Sequence, residues 1–127
     1  MNYLDAIATV TAQLEHDDAH ADQAVRIAMR LALIAWRHLG DVDAGWDRFG
    51  LQLLAVDELL PGLADVAVAC DPPIPGAPST VQAVAGMVNA VATRLDQVAD
   101  DETHTLASRV AHEAAAIRLR TAAGMLP

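Results

Sequence analysis

Apolar positions recur along this chain at alternating spacings of four and three. Tyr3, Ile7, Val10 and Leu14 make the first run, and Val81, Val84, Val88, Val91, Leu95 and Val98 make another. A third run passes through Trp46, Phe49, Leu53, Val56, Leu60, Leu63, Ala67 and Cys70. This spacing lines side chains along one face of an α-helix. No segment alternates at period two over a strand's length, so the pattern predicts an all-α protein.

Caps and breakers set the expected boundaries. Gly40 stands where a left-handed C-terminal residue belongs, and Asp41 or Asp43 can cap the helix that follows. The stretch DPPIPGAPS, residues 71–79, carries four prolines and cannot be helical; its residues 71–78 form a stiff connector across an end of the bundle. Ser79 and Gln82 then make a capping box, and Gly124 before Met125 and Leu126 makes a glycine cap. Five helices are expected, at about 2–16, 18–39, 43–70, 79–100 and 103–123. Pro61 interrupts the third, but the apolar stripe continues in register from Leu60 to Leu63, which predicts a kink. The second helix is polar only in a narrow sector with Asp22, Arg26, Arg30 and Arg37, and so belongs at the centre, packed by several neighbours or shared with a second subunit. Together these features predict one compact domain, 1–127, a bundle of four to five antiparallel helices with the third kinked at Pro61.

Composition narrows what such a bundle can do. Of 127 residues 54% are hydrophobic but only 3% aromatic, so the core must be aliphatic and alanine-rich, with thin helices able to approach closely. A mean hydropathy of +0.26 is high for a soluble monomer and points to apolar surface covered by a partner chain. The formal charge of −9 repels phosphate backbones and anionic lipid, which argues against nucleic acid and membrane as partners. All eight basic residues are Arg, which suits bidentate ion pairs but is read first as the codon bias of a GC-rich bacterial genome. Cys70 is the only cysteine, so the chain holds no internal disulfide and a reducing compartment is expected. The first residues show no leader pattern and no stretch reaches the length of a membrane span, so the expected location is the cytoplasm.

Four groups of residues carry candidate chemistry. His16 and His20, with Asp18 between them, would share a face and could hold a metal if one helix ran through both. The first stripe fails after Leu14, however, and Asp17 and Asp18 suit the start of a new helix, so a boundary rich in capping acids is the preferred reading and the metal a remote alternative. His104, Ser108 and His112 fall on one face of the last helix without the strained turn or oxyanion donors of nucleophilic chemistry, and read as a solvated face. Glu113 lies between Leu106, Val110 and Ile117 at the edge of that helix's apolar face, where a carboxylate needs an ion pair, from Arg109, Arg120 or an Arg of the second helix, or else a ligand or partner cation. Trp36, Trp46 and Phe49 hold most of the aromatic mass near one turn and could be core, pocket or interface.

Glycine-rich phosphate loops, paired carboxylates at catalytic spacing and Cys–His metal signatures are absent, so no catalytic residue is assigned and no cofactor is expected. The expected function is a non-catalytic acidic interaction or regulatory module, for instance of the inhibitor, antitoxin-like or immunity-like kind. It would be homodimeric or matched to another protein with a basic surface. The alternative is a bundle holding a small apolar ligand near Trp36, Trp46 and Phe49, with Arg30, Arg37 and Glu113 as polar contacts.

Overall fold

Asn2 starts the first helix by accepting a hydrogen bond from the Asp5 backbone N–H at 2.8 Å, and α1 runs Tyr3–His16. In the computed structural model, which describes residues 1–127, the helices that follow are α2 (Ala21–Leu39), α3 (Ala44–Leu59), α4 (Pro78–Asp100) and α5 (Leu106–Met125). A 3-10 turn, Asp18–His20, joins α1 to α2, and there is no strand. The chain is all-helical and compact.

Two of the three apolar stripes behave as the spacing demands. Tyr3, Ile7, Val10 and Leu14 of α1 are buried, as are Val84, Val88, Val91 and Leu95 of α4. Helix α1 packs on α2 and α4, α2 on α1, α3 and α4, and α5 on α3 and α4. The centre of α2 contributes alanines and larger residues together, with Ala28, Leu31, Ala32 and Ala35 almost wholly enclosed. Tyr3 crosses from α1 to α2, its hydroxyl donating to the Leu31 carbonyl at 2.5 Å. Burial pushes the Tyr3 phenol well above its ordinary pKa, so it stays neutral.

The third stripe does not remain helical. Helix α3 stops at Leu59 instead of kinking through Pro61. Proline offers no N–H for the ladder and drives the residue before it out of the helical region; Leu60 sits at φ −131, ψ 77. Gly62 then takes φ +78, which glycine adopts without strain. Beyond it Leu63, Val68 and Cys70 still pack, half-buried, against the core, but from irregular backbone. The connector is tied to the start of the chain by the Asp71 N–H, which donates to the Met1 carbonyl at 3.1 Å.

Three expected caps do not take the form the sequence predicts. Pro78 occupies the first turn of α4 and no side chain caps it, so the Ser79–Gln82 box does not form; a proline there removes one N–H that would otherwise be orphaned. Gly40 keeps helical angles (φ −59, ψ −31) in place of the left-handed ones expected. Helix α5 continues through Gly124 to Met125. By contrast Asp43 does cap α3, accepting from the Gly45 N–H at 2.6 Å.

Candidate functional site

The junction of α1 and α2 separates His16 from His20. His16 ends α1, and Asp17 caps the 3-10 turn that carries His20, whose Nδ1 lies 2.8 Å from Asp17 Oδ2. The hydrogen bond from His20, helped by backbone N–H groups of the turn, holds the Asp17 carboxyl below its ordinary pKa. Asp18, the residue between, turns instead to Arg94 of α4.

Arg94 is the group that sequence reasoning missed. It belongs to the core-facing side of α4, three residues after Val91, and its side chain is only 9% exposed. Its Nε donates to the Leu14 carbonyl at 2.6 Å, and its Nη1 to Asp18 Oδ1 at 2.5 Å and to Gln97 Oε1 at 3.1 Å. A buried guanidinium needs a counter-charge, and Asp18, itself 93% exposed, is the one carboxylate supplying it. The signal was present in the sequence: an arginine lying inside the Met87–Val91–Leu95 apolar face must either snorkel or find acceptors.

Arg94 borders an open cavity of about 650 Å³ between α2, α4 and the α4–α5 loop. Val25, Leu95 and Val98 give it an apolar wall, while Arg26, His104 and His112 add polar groups. The structure places His104 in the loop before α5, off the helix face expected for it, yet brings it and His112 of α5 to one cavity with Asp18. His112 Nδ1 faces the Ser108 carbonyl at 2.7 Å and lies farther, 3.4 Å, from the Ser108 hydroxyl, so the ring braces its own helix and does not activate the serine. Asp101, at the loop, has its carboxyl held below the ordinary value by the Thr103 N–H and hydroxyl.

The aromatic residues separate. Trp46 and Phe49 are core, meeting edge to face with ring centroids 5.6 Å apart. Trp36 lies on another side of α3, half-buried over Gly50, and lines a second cavity of about 310 Å³ with Arg30, Arg37, Leu33, Leu53 and Leu54. Three of the predicted site residues, Trp36, Arg30 and Arg37, therefore do share one cavity.

Glu113 departs most from expectation. It is exposed and makes no ion pair; Arg120 is bound to Asp96 at 2.6 Å, and Arg109 Nε donates to the Ala99 carbonyl at 2.8 Å. Its apolar neighbours are exposed too: Leu106 by 73%, Val110 by 56% and Ile117 by 57%. The face of α5 that enters the core is the alanine face, Ala115, Ala116 and Ala122 with Leu119. Short side chains let α5 settle close to both α3 and α4, and the bulkier stripe is left outside.

Cys70 is half-buried, and burial raises its thiol above the ordinary value, away from nucleophilic reactivity. No helix is long and apolar enough to cross a membrane. Comparison with known proteins finds no family model, no curated protein and no solved structure that matches the chain.

Proposed function

We propose that the protein is a non-catalytic interaction module that works as a homodimer, with the outward face of α5 as its contact surface. The observation that carries this reading is the exposed stripe of Leu106, Val110 and Ile117 on one helix face. Charge favours a second copy as the occupant. Within a chain of net −9, α5 carries Arg109, Arg118 and Arg120 against the single acid Glu113, so pairing through α5 joins the least acidic part of each molecule. Glu113 has no ion pair of its own, and exposed Arg118 makes only a 3.4 Å contact with Gln52. A two-fold interface places each patch against itself, with Leu106, Val110 and Ile117 of one copy on the same residues of the other.

An antiparallel bundle fits this role. Gln52 and Arg118 meet near mid-helix, and Gly45 at the start of α3 lies against Met125 at the end of α5, a placement that supports opposite directions for the two helices. The net charge and the single cysteine favour a cytoplasmic setting without nucleic-acid partners.

Sedimentation velocity tests the reading. The wild-type chain is expected to sediment as a dimer, and Val110→Asp with Ile117→Asp as a folded monomer. A wild-type monomer at millimolar concentration, or a dimer indifferent to the paired aspartates, overturns it.

A second reading, a small apolar ligand beside Trp36, is favoured by the cavity that Trp36 lines with Leu33, Leu53 and Leu54. Trp36 emission that stays unchanged across a panel of small hydrophobic probes rules it out.

A further inference from the structure

A nine-tenths-buried guanidinium takes its counter-charge here from a carboxylate that is almost wholly in water. Burying Arg94 requires an anion, yet Asp18 stands on a three-residue turn with its side chain 93% exposed. The contacts that fix the Arg94 stem, Nε to the Leu14 carbonyl and Nη1 to Gln97, do not involve Asp18. Asp18 can therefore leave without releasing the guanidinium, and Nη2 has no acceptor within the chain. Beside this head group lies the 650 Å³ cavity, with Val25, Leu95 and Val98 in its wall.

We infer that this cleft binds a small aliphatic carboxylate, its head group on Arg94 in place of Asp18 and its chain along Val25, Leu95 and Val98. The planar guanidinium edge matches a carboxylate in two-point contact. Asp22 and Asp101 in the cavity wall disfavour a phosphate dianion more strongly than a singly charged carboxylate. Arg26 and His112 stand on the same cavity, where they can add donors to the head group or to a polar substituent along the chain. The site is separate from the α5 dimer face and does not depend on it. Asp18 acts as an internal competitor that keeps the buried charge satisfied while the cleft is empty.

The test is titration of the full chain with sodium octanoate, followed by calorimetry and by amide and Arg side-chain NMR shifts. Octanoate is expected to shift the Arg94 Nε–H together with Val25 and Val98 amides. Asp18→Ala, which removes the competing carboxylate from Arg94, is expected to tighten octanoate binding by about tenfold. Val98→Asp, placing a charge in the wall, is expected to abolish it, with circular dichroism confirming that both variants fold. Inorganic phosphate and octylamine are expected to leave these signals unmoved. Octanoate binding that Asp18→Ala does not tighten, octylamine binding equal to octanoate, phosphate binding at the same residues, or no octanoate binding to Asp18→Ala each overturns the assignment.

Discussion

The pyrrole edge of Trp36 occupies the space in which a side chain on Gly50 would sit: Cδ1, Nε1 and Cε2 of the indole are all closer to that point than any Cβ tolerates. The contact explains a glycine in the interior of α3, where it costs about 1 kcal/mol of helix propensity relative to alanine. It also sets the approach of α2 to α3. Gly50→Ala is therefore expected to destabilise the protein by about 1–3 kcal/mol through overpacking, in spite of the helix propensity gained. In a Trp36→Ala background the same substitution should become stabilising. Urea unfolding of the four-member cycle measures the coupling, and a Gly50→Ala protein more stable than wild type would show that the indole moves aside freely.

Much of the fold was legible because the apolar spacing of α1 and α4 is unambiguous and large residues mark it. Legibility failed where size and hydrophobicity pulled apart. In α5 the stripe of Leu106, Val110 and Ile117 outscores the alanine face on hydrophobicity, yet it is Ala115, Ala116 and Ala122 that enter the core. Periodicity alone cannot separate two faces of one helix when one is greasy and the other thin. The Pro61 segment failed differently: Leu60, Leu63 and Cys70 kept helical spacing and partial burial while the backbone left the helix at Leu59. For the candidate cavity, Asp18, His104 and His112 could be seen as polar residues, but their meeting with Arg94 depends on a contact between residues 76 positions apart.

This reversal in α5 makes an unusual pair of mutations informative. Ala116→Leu, the more hydrophobic choice, is expected to cost about 1–3 kcal/mol because Ala116 has no exposed surface and no room beside α3 and α4. Ile117→Ser, one residue along, is expected to change chain stability by no more than about 0.5 kcal/mol. Both are compared by thermal unfolding at dilutions where the midpoint no longer depends on protein concentration. Equal losses at the two positions would place the core on the wrong face of α5.

Arg94 and Asp18 differ in burial, so their loss should differ in cost. Replacing Arg94 with Leu removes three hydrogen bonds and leaves the Leu14 carbonyl without this partner, an expected loss of about 1–3 kcal/mol. Asp18→Asn keeps an acceptor beside Nη1 and gives up an attraction largely screened by water, so it should cost less than about 1 kcal/mol. Chemical denaturation of each variant checks the ratio. A larger penalty for Asp18→Asn would mean that the carboxylate is structurally indispensable and cannot act as a displaceable counter-ion.

Tyr3 fixes the alkaline limit of the fold. Its phenol is buried between α1 and α2, donates to the Leu31 carbonyl and is held protonated in the native state, while in the unfolded chain it ionises near the ordinary value of about 10. A raised folded-state pKa means that the native state holds its proton where the unfolded state releases it. The contribution of Tyr3 to stability is therefore complete below about pH 10 and is lost progressively above it. Urea midpoints should be flat with respect to this group from neutral pH up to that point and then fall. Tyr3→Phe should lower the neutral-pH stability by about 0.5–1.5 kcal/mol, the worth of one hydrogen bond, and flatten the alkaline decline. An alkaline slope unchanged in Tyr3→Phe would assign the decline to another group and remove Tyr3 as the cause.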